Sequence, residues 1–291
     1  MRLAGYVEAS RGCAHTCSHC PITPVYGGRL RLVGADVVLA DIENQVALGA
    51  EHITFGDPDF LNAVPHSLAI CSELKRRVPG VSFDFTAKIE HLVEYENVLP
   101  EFQHYGCLFV TSAFESTNDA MLARLEKGHT RSDMERVLGN SEKLGLTVRP
   151  TWVAFMPWTT GKDYLDFLEF IENHDLVDHV QPVQLSLRLL LPPGSPLIEA
   201  TERDGLLGEL DAGSLTYHWH YRDERMDALQ REIADVVEEA AEAHDHTADA
   251  NLTTFNRVKK IAFNRINGVE PDPAARRRSR VVPGLTEDWF C

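Results

Sequence analysis

The sequence has no apolar run approaching the length of a membrane span, and its amino end lacks the basic-then-apolar pattern of a secretory signal. A cytoplasmic, reducing location with no membrane partner is therefore expected. Positive charge is in short supply: 28 lysines and arginines stand against 44 aspartates and glutamates, for a formal net charge of -16. A chain this acidic does not offer the basic face that RNA needs, so no nucleic acid is expected as a partner, and a small-molecule or metalloid substrate is. No phosphate-cradling glycine fingerprint follows the first strand, which weakens a dinucleotide-binding open sheet. Only six cysteines occur, and no second Cys-x2-Cys or zinc-finger histidine pair follows the first group of them. A closed four-ligand zinc site is thereby disfavoured.

What is present is enough apolar sequence, 44% of 291 residues, for a large core. Strand-like and helix-like periodicities alternate. After a first strand within residues 1–10 come a helix over Asp36–Leu48, a strand in the run His52–Phe60, stopped by Pro58 and with its C-terminal loop beginning at Gly56, a helix over Asn62–Arg77 and a strand over Ser82–Ala87. The pattern continues with a helix His91–Phe102, a strand Cys107–Phe114, helices Thr117–Leu125 and Ser132–Leu144, a strand Thr147–Phe155, a helix Asp163–Asn173 and a long strand Val180–Leu191. Six strand–helix units predict an α/β fold with a parallel sheet, either doubly wound or a barrel. Beyond Pro192-Pro193-Gly194 the pattern changes: Leu215–Tyr221 reads as an aromatic edge strand carrying His218 and His220, and Arg225–His244 as an acidic amphipathic helix. Cys71 and Cys107 sit in apolar patterns and read as core.

Half of the cysteines fall within eight residues. Cys13, Cys17 and Cys20 form a Cys-x3-Cys-x2-Cys group just after the first strand. Three thiolates on one loop hold three corners of a metal centre, and soft sulfur favours zinc or iron–sulfur. The fourth corner is open, unless His15 or His19 completes a zinc site. In that case the chain would be a zinc-stabilised binding protein without activity.

This cysteine spacing after a first strand resembles the radical S-adenosylmethionine (SAM) superfamily. The resemblance implies a partial (β/α)6 TIM-like barrel over residues 1–191, with a C-terminal helical or irregular extension, residues 192–291, covering the barrel mouth. It further implies a [4Fe-4S] cluster on Cys13, Cys17 and Cys20, with SAM on the remaining iron, and an external electron donor such as flavodoxin. Where the family has an aromatic residue before the last cysteine, this chain has His19. Barrel chemistry gathers at the C-terminal strand ends, and the polar residues there are candidate SAM contacts. Gly56 and Asp57 stand where the family has its Gly-Gly-Glu-like motif, a β-turn being the plain alternative. Glu115 and Ser116 follow the fourth strand, with helix capping as the alternative for Ser116. Arg149 and Arg188 are placed within the fifth and sixth strands, as carboxylate partners of SAM or as members of structural ion pairs.

The end of the chain, Val281–Cys291, resembles the radical SAM subgroup named for its Cys-Cys-Ala-Glu-Pro or selenocysteine-containing tail (CCAEP/CUAEP), except that it stops one cysteine short, as a truncation or as a departure from the pattern. That subgroup includes the enzyme of arsinothricin biosynthesis. The resemblance implies transfer of the 3-amino-3-carboxypropyl group of SAM to arsenite, with Cys291 as a catalytic thiolate. A 5′-deoxyadenosyl radical acting on another small organic substrate is the alternative. The basic run Arg276-Arg277-Arg278-Ser279-Arg280 is either a solvated turn or a grip on an anionic ligand or on the folded-back tail.

Overall fold

Along the strands of the barrel one parity is apolar and buried: Ile53 and Phe55, Phe83 and Phe85, Val110 and Phe114, Val148 and Trp152. The other parity carries Thr54, Asp84, Thr86, Thr111, Arg149 and Thr151. Side chains alternate across a strand, so this pattern gives the sheet one face for helices and one polar face.

The computed structural model describes residues 3–243, 249–275 and 282–285. Its elements in chain order are β1 (Ala4–Val7), β2 (Ser10–Gly12), α1 (Ile22–Tyr26), β3 (Leu30–Leu32), α2 (Ala35–Ala47), β4 (His52–Phe55), α3 (Val64–Arg77), β5 (Ser82–Thr86), α4 (Ile89–Glu94), α5 (Leu99–Tyr105), β6 (Cys107–Glu115), α6 (Asp119–Arg124), α7 (Arg131–Leu144), β7 (Thr147–Trp152), α8 (Gly161–Asn173), α9 (Leu197–Arg203), β8 (Leu207–Asp211), β9 (Thr216–Trp219), α10 (Arg225–Glu242) and α11 (Ala250–Asn267). The central sheet is parallel and has five strands in the order β1-β4-β5-β6-β7. Strands that add one after another, each reached through helices, curl the sheet into a partial TIM-like barrel. Its polar face becomes the barrel interior.

A sixth strand over Val180–Leu191 does not form, and Arg188 is correspondingly not within a strand. Pro182–Leu185 make a 3-10 turn, and the only remnant of pairing is an isolated parallel bridge between Phe155 and Arg188. Pro182 has no N–H to give to a ladder. The free edge of β7 is satisfied by a side chain instead, the Gln184 Oε1 accepting from the Trp152 backbone N–H at 3.1 Å. The second strand ends at Phe55, with its loop beginning at Gly56 as expected. Elements not expected from the sequence are the short antiparallel hairpin β2–β3, whose strands bracket the cysteine loop, together with α1, α9, β8 and α11.

The C-terminal part continues the core of the barrel. Met226, Leu229, Ile233, Val236 and Val237 of α10 and Phe255, Val258 and Ala262 of α11 are buried, in one apolar cluster with Phe155, Tyr164 and Phe170. Lys259 pairs with Glu172 of α8 at 2.6 Å, and Arg188 with Asp227 of α10 at 3.0 Å. No helix among the described residues is long and apolar enough to cross a membrane. The basic run Arg276–Arg280 and Cys291 lie outside the described residues.

Candidate active site

The cysteine loop is anchored at both ends. At its entry Gly12 has φ 82°, and a Cβ there would lie 2.3 Å from the Arg29 carbonyl oxygen, so only glycine lets β2 turn into the loop. Asp57 holds the base, accepting from the Ala9 N–H at 2.9 Å and the Ser10 hydroxyl at 2.5 Å. Within the loop the Cys20 N–H donates to the Cys17 carbonyl at 3.2 Å, and the Thr23 hydroxyl to the same carbonyl at 3.0 Å. From outside, the Ser18 N–H reaches the Leu125 carbonyl and its hydroxyl reaches Glu126 at 2.8 Å. Asn62 accepts from the Ala14 N–H at 3.3 Å and donates to the Cys13 Sγ at 3.5 Å. All three thiols are unpaired, Cys17 being buried and the other two half-buried. Burial pushes the Cys20 thiol up, and the nearby sulfurs of Cys17 and Cys13 push the same way.

The two histidines of the loop turn away toward the barrel. The Lys88 ammonium donates to His15 Nδ1 at 3.0 Å and to Glu90 at 2.8 Å. An ammonium only donates, so the His15 proton sits on Nε2, facing His91 Nε2 at 3.1 Å. That leaves the His91 proton on Nδ1, 2.8 Å from Asp59 Oδ2. That last contact is close but lacks hydrogen-bonding geometry, and His15, Asp59 and His91 lie near enough to one another to hold a metal ion. On the other side His19 Nε2 meets Glu115 at 3.0 Å, while its buried Nδ1 has no protein partner. An orphaned buried nitrogen beside the third cysteine fits a polar group seated there in the loaded protein.

Glu115 ends β6 at a register shift, with φ 64°. The bulge re-aims its side chain toward the cysteine loop. Burial alone would raise its pKa, but the charges of Lys127 and His19 and their hydrogen bonds hold the carboxyl well below the usual range. Lys127, 3.1 Å away, has a raised pKa: burial lowers it, and Glu115 outweighs that with help from Cys17 and Cys20. A buried cation thus stands behind two of the three thiols. Lys127 was not legible in the sequence; its partner lies twelve residues upstream and meets it through the fold.

The remaining predicted contacts fall in different places. Gly56 lies under the Tyr6 ring, which fills the space a Cβ would need. Asp57 is spent on Ala9 and Ser10, as above. The Ser116 hydroxyl accepts from the Asn118 N–H at 3.2 Å, within the turn that leads into α6. Arg188 pairs with Asp227, donates to the Trp219 carbonyl at 2.8 Å and stacks on the Trp219 ring. Arg149 faces the barrel interior and donates to the Pro283 carbonyl at 3.2 Å. Cys71 and Cys107 are buried in the core, where desolvation pushes both thiols well up.

Residues 7–172, more than half of the chain, match the family described as the radical SAM superfamily. A candidate methylthiotransferase of Methanocaldococcus jannaschii is 25% identical over 179 residues, 60% of this chain and 40% of that protein. The bacteriochlorophyllide d C-12(1)-methyltransferase of Chlorobaculum tepidum is 24% identical over 241 residues, 78% of this chain and 51% of that protein. The chain thus spans about half the length of these relatives, or less. Among solved structures, the cobalamin-dependent S-adenosylmethionine radical enzyme OxsB with aqua-cobalamin shares the fold, with a TM-score of 0.68 at 19% identity over 89% of this chain and 47% of that one. The cysteine loop, the five-stranded parallel sheet and the family match agree, and the chain belongs to the radical SAM superfamily, whose cofactors are a [4Fe-4S] cluster and SAM.

Proposed function

We propose that this chain is a radical SAM group-transfer enzyme acting on a small acceptor held inside the barrel, with Cys13, Cys17 and Cys20 as the cluster ligands. The observation that carries this reading is the gathering of three unpaired thiols on one anchored loop beside a polar barrel interior, with both ring nitrogens of His15 engaged by Lys88 and His91. When bound, the cluster supplies the electron that opens a C–S bond of SAM. The chain's own residues position and insulate that event. Asp57 and Asn62 fix the near side of the loop, the Lys88–His15–His91–Asp59 chain fixes its middle, and Glu115 with Lys127 fixes His19 next to Cys20. His19 and Glu115 are the SAM contacts this arrangement supports, at the orphaned His19 Nδ1.

The finer form is transfer of the 3-amino-3-carboxypropyl group to arsenite, supported by the resemblance of the tail, with Cys291 as the thiolate that brings the acceptor in. A second reading, a 5′-deoxyadenosyl radical acting on an organic substrate, is favoured by the hydroxyls and the guanidinium that line the interior. The net charge of -16 supports a small acceptor over RNA. Open thiolates fit a reducing cytoplasm, with an external donor such as flavodoxin supplying the electron. Product analysis tests the choice: reduced enzyme incubated with SAM, with and without arsenite, yields methylthioadenosine on the aminocarboxypropyl route. Dominant 5′-deoxyadenosine eliminates that route, and no SAM cleavage at all eliminates the enzyme reading.

A further inference from the structure

Seven lysines and arginines among the described residues are withdrawn from full exposure, and six have a carboxylate partner: Arg77, Lys88, Lys127, Arg131, Arg188 and Lys259. Arg149 is the exception. Its one hydrogen bond among the described residues goes to a backbone carbonyl, that of Pro283, and Gly284 lies so close that a Cβ there would sit 2.4 Å from Nη1. Desolvation lowers its pKa, opposed only by the distant charge of Asp84. That carboxylate is already committed, accepting from His52 Nε2 at 2.8 Å and from the Thr54 hydroxyl at 2.7 Å. A half-buried guanidinium without a counter-ion among the described residues is costly to keep, which makes it a sign of something that binds there.

Its neighbours are suited to an anion. In the parallel register Arg149 of β7 stands beside Thr111 of β6, and Thr111 beside Thr86 of β5. Register partners share a face, so two hydroxyls and a guanidinium form one row on the wall of the barrel interior. Both threonines are half-buried and neither hydroxyl has a partner among the described residues. Thr111 lies four residues before Glu115 on the same strand, about 13 Å at roughly 3.3 Å per residue. Along β6 the row therefore lies below Glu115, while on β5 it is formed by the last strand residue, Thr86.

We propose that Arg149, with Thr86 and Thr111, is the site that recognises a carboxylate on the acceptor substrate. The planar fork of an arginine matches a carboxylate with two parallel N–H bonds, and the adjacent hydroxyls add donors at the same level. This rests on the reading of the barrel interior as the reaction chamber and deepens its second form, in which the acceptor is organic rather than arsenite, by naming the substrate class as an organic acid.

The test uses trifluoroacetate as the probe, followed by 19F NMR on the anaerobically reconstituted protein. The site predicts saturable binding that acetate displaces and neutral acetamide does not. Arg149→Gln weakens it by about tenfold or more, the loss of a charge-assisted hydrogen bond, Arg149→Lys by less, and Thr111→Val by a few-fold. Iron content and the thermal midpoint establish that each variant is folded. The proposal is overturned by unchanged binding in Arg149→Gln, by equal displacement with acetamide, or by phosphate displacing better than acetate. It is equally overturned if Arg149→Gln weakens SAM binding and leaves the probe unaffected, or if the probe binds only after Glu287→Gln and Asp288→Asn, which would make Arg149 a dock for the chain's own tail. Failure of the wild-type enzyme to cleave SAM sinks the functional reading instead, and leaves the probe result standing.

Discussion

Lys127 and Glu115 are enclosed together, their side chains 3% and 8% exposed, behind the cysteine loop. Removing one charge of such a pair strands the other in a poorly solvated place. Lys127→Met is expected to cost about 3–5 kcal/mol in urea unfolding, with part recovered in the double variant Lys127→Met with Glu115→Gln. A cost below about 1 kcal/mol would show the pair to be solvated. His129 carries a pH dependence of its own. Burial, then the Lys127 charge, lowers its pKa from 6.5 to about 4. The unfolded chain takes up this proton near pH 6.5 and the folded chain only near 4, so the stabilisation is complete above 6.5 and is lost as pH falls toward 4. The full effect is about 3 kcal/mol. Melting temperatures of His129→Gln should fall less steeply across that window than those of the wild type; parallel curves would contradict the assignment. Legibility at this scale followed distance along the chain. Cys13, Cys17 and Cys20 announce themselves by spacing, and Glu115 by its place at a strand end. Lys127, His91 and Asn62 reach the loop only through the fold. For Arg188 the sequence left a SAM contact and a structural ion pair open, because Asp227, the carboxylate it pairs with, lies 39 residues on.

At the scale of elements, two helices that position the barrel carry reciprocal caps. Thr130 with Asp133 starts α7, and Thr160 with Asp163 starts α8. Thr130→Ala should cost about 1 kcal/mol. Asp163 has a second task, since it also accepts from Asn118, the residue that caps α6. Asp163→Ala is therefore expected to lower the melting temperature more than Asp133→Ala, and equal shifts would show that the Asn118 contact contributes nothing. Five of the six expected strands were readable because alternation and flanking turns agree there. The sixth was not: its apolar residues suggest a strand, but Gln184, Ser186 and Leu189 are buried by contacts with Trp152, with Gln230 and across the Phe155 bridge. Hydrophobic pattern reports burial, and here burial came from a loop packed on β7 and α10. The β2–β3 hairpin was missed for the opposite reason, because three residues per strand leave too little pattern to read.

For the whole molecule, the C-terminal helices complete the core of the barrel. A chain ending at Leu191 would expose Phe155, Tyr164 and Phe170 on the side where Tyr221, α10 and α11 belong. Such a fragment is expected to aggregate or to lack a cooperative transition; a soluble monomer that melts cooperatively would show the barrel to be independent of its extension. The acidic balance of the chain and its cysteine loop were legible from the sequence, whereas the polar row in the barrel interior became visible only once register aligned Thr86, Thr111 and Arg149. The central claim, that three cysteines on one loop hold a cluster with an open corner for SAM, is tested most directly by anaerobic reconstitution with iron and sulfide followed by electron paramagnetic resonance of the reduced protein. It predicts about four irons per chain, a signal altered by added SAM, and loss of both in Cys13→Ala, Cys17→Ala and Cys20→Ala. A folded, colourless protein that holds zinc and ignores SAM would contradict it.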